Sequence, residues 1–256
     1  MSGDLGAARA KVADAEALVD RIEVGAYRSE AKEAAAADEA RALYAEALEV
    51  FEAASDPAGQ ATVLHGLGHL ALCLDDPGRA EPLLLRAASL REGDAVGRLH
   101  AMIELGGVRP LHPEVDRAVR EALAAGWPAE VDALGLVLAR ADAGAHDAAA
   151  ELCAALVEDA LARGDRSRAA RLTCELGKVE DARKRRKEAR ACFERALELA
   201  EGDAEQTLRA LLYLVDAWWS TGNVAKAREL YARAEKIRGV PQSLRTLRKM
   251  AGLALR

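Results

Sequence analysis

The chain is poor in the residues that build strands. Its 256 residues include three isoleucines, five threonines, two phenylalanines and four tyrosines, whereas sheets draw on β-branched and aromatic side chains. A sheet architecture is thereby excluded. No run of about eighteen uncharged apolar residues occurs, so no membrane-spanning helix is expected. The opening stretch MSGDLGAARAKVADAEALVD carries acids early and lacks the continuous apolar core of a secretory signal. Cys73, Cys153, Cys174 and Cys192 lie far apart with no CxxC pair. Reduced, buried thiols in a cytoplasmic protein are therefore expected. GxSxG, P-loop and dinucleotide fingerprints are missing. Paired carboxylates such as those of EVDRAVRE sit at helical spacing, where a solvated acidic face explains them. Neither an enzyme nor a cofactor is expected.

What the chain has is alanine, 59 residues of it, within a 51% hydrophobic composition ample for a core. Alanine is the least costly residue in a helix, so an all-α protein is expected. The alanine content also points to a bacterial genome rich in G+C. The formal charge of −6 conceals a split. Residues 1–162 hold 14 basic and 29 acidic side chains, and residues 163–256 hold 22 and 13. Such asymmetry speaks of partners rather than of fold.

A repeat runs through the sequence. Leu67-Gly68 is followed by Ala80, Leu84 and Ala87; Leu105-Gly106 by Ala118, Ala122 and Ala125; Leu176-Gly177 by Ala189, Phe193 and Ala196. Leu214-Val215 precedes Ala227, Tyr231 and Ala234 at the same offsets, and weaker copies centre on Ala40-Tyr44-Ala47 and Ala148-Leu152-Ala155. Turn signals separate the two halves of a copy: LDDPG (74–78), RPLHP (109–113), DAGAHD (142–147) and STGN (220–223). The spacing predicts two antiparallel helices per copy. The glycine permits close approach, and Leu84, Phe193 and Tyr231 fill the gap one turn on. A lone hairpin cannot bury both faces, so copies must stack.

On these residues, and on EARACFERALELAEGD (188–203) and NVAKARELYARAEKI (223–237), the sequence resembles the tetratricopeptide repeat family. The resemblance implies a right-handed α-solenoid of stacked antiparallel helix pairs in a single helical-repeat domain. Residues 1–36 would be an N-terminal helical cap or first repeat, 37–94 repeats, 95–165 irregular repeats, 166–240 well-matched repeats and 241–256 a capping helix. In that last helix Leu244, Leu247, Met250 and Leu255 are expected to share one apolar face.

The resemblance also implies that first helices line a concave groove, through positions three before, one after and five after the glycine. For Gly68 these are His65, His69 and Cys73, and elsewhere Ile103, Gly107 and Leu111; Cys174, Lys178 and Ala182; Leu212, Asp216 and Ser220. Two histidines four apart with a cysteine fall short of the usual tetrahedral zinc set, and HExxH is missing, so no metal is expected. The expected partner-binding residues are His65, His69, Arg171, Lys178, Arg209, Asp216 and Trp219, with Trp218 turned into the repeat.

A second feature is the run Arg183, Lys184, Arg185, Arg186 and Lys187 at an inter-helix turn. With Arg171, Lys178, Arg209, Arg245, Arg248 and Lys249 it makes a basic surface for an acidic protein segment. Nucleic acid is disfavoured by the overall acidity and the missing aromatic platform. The lone asparagine, Asn223, sits in a turn, so the carboxylate clamp of heat-shock co-chaperones is not expected. The function implied is a protein-interaction adaptor that holds a partner's peptide in its groove. The alternatives are a sensor whose superhelix responds to a small peptide or ligand, and a scaffold that self-associates through its acidic and basic halves.

Overall fold

Short turns set the architecture. In most of them one residue takes a left-handed backbone and the next opens the following helix, as in Ser55-Asp56, Asp75-Asp76, Gly93-Asp94, Gly164-Asp165, Gly202-Asp203 and Gly222-Asn223. Each Asp or Asn side chain accepts a first-turn backbone N–H at 2.9–3.1 Å, satisfying a donor the helix leaves orphaned. Pro57, Pro77 and Pro113 stand at helix starts, where their missing N–H is harmless. The computed structural model describes residues 2–27, 29–91, 93–128 and 131–255, and every regular element among them is an α-helix.

The helices fall into two units, residues 1–136 and 137–256. The first contains α1 (Ser2–Glu23), α2 (Glu30–Ala53), α3 (Pro57–Cys73), α4 (Pro77–Leu90), α5 (Ala95–Val108) and α6 (Pro113–Ala125). Helix α7 (Leu134–Asp142) carries the boundary. The second unit contains α8 (His146–Ala162), α9 (Arg166–Ala182), α10 (Arg186–Leu199), α11 (Ala204–Trp219), α12 (Val224–Ala234) and α13 (Gln242–Ala254). Within each unit consecutive helices pack as antiparallel neighbours, and first helices also touch across pairs: α1 with α3, α9 with α11, α11 with α13. These are stacked helix pairs of the tetratricopeptide type.

The repeat signature marks the close approaches. A Cβ on Gly68 would lie 2.8 Å from Leu84, and one on Gly177 2.4 Å from the Phe193 ring. Glycine is required at both places because the partner side chain occupies the volume a methyl would need. The two α2 aromatics, Tyr44 and Phe51, press in the same way on Gly66 and Gly59 of α3.

Two covering contacts come from outside the repeat copy, and two expectations need correction. Ala122 is too small to cover Gly106, where an added Cβ would fall 2.6 Å from Leu136 of α7 and 3.2 Å from Val115 of α6. The Tyr231 hydroxyl reaches α13, where a Cβ added to Gly252 would fall 2.2 Å from it. In α8 the buried register is Ala149, Leu152, Cys153 and Leu156, one residue on from Ala148 and Ala155, which are only half-buried. In α13 the apolar residues divide. Leu244 and Leu255 are buried, while Leu247 and Met250 are exposed.

Candidate functional site: the faces of the first helices

In the N-terminal unit the histidine column of α3 meets acids from both neighbouring first helices. His65 Nε2 lies 3.2 Å from Glu104 Oε2 of α5, and His69 Nδ1 lies 3.4 Å from Glu104 Oε1. His69 Nε2 reaches Glu23 Oε2 of α1 at 3.5 Å, with Cys73 Sγ at 3.7 Å from the same nitrogen. The His65–Glu104 approach is close but poorly aligned, leaving both atoms without a hydrogen bond of good geometry. Burial pushes the Glu104 carboxyl up, but the two histidines outweigh that and hold it at about 2. The Glu104 hydrogen bond raises the pKa of His69 against the opposing effect of burial. The Cys73 thiol is pushed up, by burial first and then by Glu23 and Glu104. The ring nitrogens of His69 are thus engaged by carboxylates. Among the described residues no group of three or more His, Cys, Asp or Glu is arranged to hold a metal ion.

The C-terminal unit repeats the geometry with different chemistry. Lys178 of α9 donates to Glu175 Oε2 at 2.6 Å and stands 5.9 Å from the centre of the Tyr213 ring of α11. Tyr213 stacks on Phe193, ring centres 5.2 Å apart. Arg209 bonds Gln206 at 3.2 Å and Glu205 at 3.0 Å. Lys178 and Arg209 are therefore both compensated within the chain. A ligand carboxylate must compete with Glu175 and Glu205, which weakens any reading of Lys178 and Arg209 as a bare anion clamp. Arg171 and Asp216 are exposed, and Trp219 is 40% exposed. Trp218 is half-buried beneath the Arg190 guanidinium, 4.7 Å from the ring centre.

One contact rule covers both units. The residue two before the glycine position reaches the residue one after the glycine of the preceding repeat: Glu104 to His69, and Tyr213 to Lys178. Sequence reasoning found the +1 residues and missed the −2 residues, Glu104, Glu175 and Tyr213. The offset from the glycine was the available signal. The +5 positions fare worse, since Leu111 and Ser220 lie beyond the ends of α5 and α11. Cys174 at −3 is fully buried and lines no open face.

The basic run spans the turn from α9 to α10. Its cations do not act alike. Arg183 is turned inward, 2.5 Å from Asp147 and 2.7 Å from Glu180, and Arg185 lies 3.8 Å from Glu180. Lys184, Arg186 and Lys187 are exposed. Arg248 also leaves the expected surface, because its guanidinium donates to the Ala234 and Ile237 carbonyls at 3.1 and 2.7 Å. Lys184 stands at φ 64°, where most other turns have glycine, and Arg185 occupies the N-cap without capping. Arg186 and Lys187 then face the positive end of the α10 dipole. The double change Lys184→Gly with Arg185→Asp is expected to stabilise the protein by about 1–2 kcal/mol in urea denaturation, restoring the turn chemistry used elsewhere. No gain would show that the turn carries no strain.

Among the described residues no helix is long and apolar enough to cross a membrane. The sequence matches no protein-family model and no curated protein. Solved structures similar to it include BtubC (BKLC) from P. vanneervenii, at 17% identity over 91% of each chain with a TM-score of 0.47. A Podosopora anserina protein assigned as a kinesin light chain, with nearly identical TPR-like repeats, aligns at 16% identity over 88% of this chain and 93% of its own, TM-score 0.48. A Rap protein complexed with competence and sporulation factor aligns at 16% identity over 86% of this chain and 53% of its own, TM-score 0.44. All three TM-scores lie below 0.5, so the helix pairs and their glycine contacts, rather than these likenesses, carry the fold.

Proposed function

We infer that the chain is a non-enzymatic scaffold that holds a peptide segment of another protein against the exposed face of its first helices. The observation that supports this reading is the recurring −2 to +1 contact, which sets polar and aromatic side chains from successive first helices side by side in each unit. In the N-terminal unit the binding residues are His65 and His69. In the C-terminal unit they are Arg171, Lys178, Arg209, Asp216 and Trp219. Trp219 is the side chain best suited to anchor a peptide, being large, rigid and open. Lys178 and Arg209, each with an acid at its side, suit a ligand that exchanges hydrogen bonds as well as charge. The exposed Lys184, Arg186 and Lys187 add attraction for an acidic flank of the same partner. Nucleophilic chemistry has no support at the buried cysteines, since burial pushes the Cys153 and Cys174 thiols up to about 12.

The test is affinity purification from the native cell with wild-type protein, a Lys178→Glu/Trp219→Ala variant and a Lys184→Glu/Arg186→Glu/Lys187→Glu variant. The first variant is expected to lose the captured partner at least tenfold, and the second to weaken it in a salt-dependent way. Undiminished capture by the Lys178→Glu/Trp219→Ala protein would overturn the first-helix reading.

A further inference from the structure

Helix α13 is docked by one edge only. Leu244, Ala251 and Leu255 pack toward α11 and α12, Tyr231 presses on Gly252, and Arg228 donates to the Leu255 carbonyl at 3.2 and 3.0 Å. At 100° per residue, Leu247, Met250 and Leu253 form a second stripe turned well away from that edge. They are 52, 61 and 57% exposed, three of the eight large apolar side chains left exposed among the described residues. Arg245 and Lys249 are exposed along one side of the stripe. Residues 236–256 hold six cations and no acid, although Arg256 lies outside the described residues. A helix that caps a repeat array needs a polar outer face. This one is apolar, so it lacks the character of a cap and has that of a binding surface.

A surface of complementary character exists in the N-terminal unit. Between the start of α1 and the end of α2 lies a hollow of about 260 Å³, lined by Leu5, Val50, Ala53 and Ala54 with Asp4 and Glu49 at its rim. It exceeds the ~150 Å³ that accommodates a benzene ring in an apolar cavity. Neighbouring Glu46 and Glu52 are already paired, with Lys11 and Arg86. Glu49 is exposed.

We propose that a second copy of this chain is the occupant: the Leu247–Met250–Leu253 stripe of one molecule seats on the Leu5–Val50 hollow of another, with Arg245 and Lys249 against the acidic rim. Apolar matches apolar, and the flanking charges are of opposite sign. The two surfaces are different, so the contact is heterologous and propagates head to tail into chains or rings. It uses none of the peptide-binding residues placed on α3, α9 and α11.

Complementation tests it directly. A tail variant, Met250→Ser/Leu253→Ser, and a head variant, Glu49→Lys, change only exposed residues. Circular dichroism checks that each folds. By sedimentation velocity the wild type is expected to rise with concentration above its 27.2 kDa monomer mass, while each variant stays monomeric. Mixed one to one, the variants retain one intact head and one intact tail, so the mixture should reach twice the monomer mass and stop there. A wild type monomeric at every concentration overturns the proposal. So does loss of association in the tail variant with none in the head variant, which would mark a two-fold contact through α13 or a different occupant.

Discussion

Phe193→Ala is expected to destabilise the C-terminal unit by about 3–5 kcal/mol, the range for emptying a buried aromatic site. The ring is buried between Gly177 of α9 and Tyr213 of α11, and so ties one helix pair to the next. Gly177→Leu alone should also destabilise, by about 1–3 kcal/mol, because even a Cβ there falls 2.4 Å from the ring and the stacked Tyr213 hinders its retreat. Combined, the two changes exchange a large side chain on α10 for one on α9. The leucine enters the volume the ring vacated, and the double variant should be more stable than the sum of the single losses predicts, by about 1 kcal/mol or more. Chemical denaturation of the full chain gives the energies. Amide exchange in α9 and α10 locates them. Additive losses would mean that the glycine and the ring do not share one space, and the repeat signature would then lose its physical meaning.

That signature was legible because its two halves lie in one helix pair. A glycine and the large residue that covers it are separated by a single short turn, and the turn residues announce themselves. Legibility fails where the covering residue comes from elsewhere. Nothing near Ala122 indicates that Leu136 will reach Gly106, and nothing near Val215 indicates that Tyr231 will cross to Gly252. In α13 the apolar periodicity revealed an amphipathic helix but not which edge is docked. The inner edge contains Arg248, a residue that pattern reading assigns to solvent and that instead serves the last carbonyls of α12 and the turn beyond it. The candidate site followed the same division. The +1 residues His69 and Lys178 were read from one repeat alone, whereas Glu104 and Tyr213 acquire their roles only when the next repeat is laid against it.

The other large effect concerns pH. Glu104 is the acid on which His65 and His69 converge, with Glu23 beyond His69, Cys73 beside it and the Arg91 charge acting from the end of α4. Its folded pKa is depressed from 4.5 to about 2, so its contribution is present above the unfolded value and is lost as pH falls from about 4.5 toward 2. His69 behaves oppositely. Its folded pKa is raised above 6.5, so its contribution is complete below 6.5 and disappears as pH rises through the folded value. Both are present together only between about 4.5 and 6.5, and the N-terminal unit should be most stable in that window. The Glu104 shift corresponds to about 3 kcal/mol, and with the side chain 27% exposed a discount to about 2 kcal/mol is appropriate. Glu104→Gln retains the shape and removes the charge. It should lower stability by about 2 kcal/mol near pH 5.5, by little near pH 2, and should flatten the alkaline limb by releasing His69. His69→Gln should flatten that limb while leaving much of the acid limb, since His65 still faces Glu104. Urea denaturation across this range, with amide exchange in α3 and α5 to assign the loss, measures it. Parallel pH profiles for wild type and Glu104→Gln would show that the column is solvated rather than clasped.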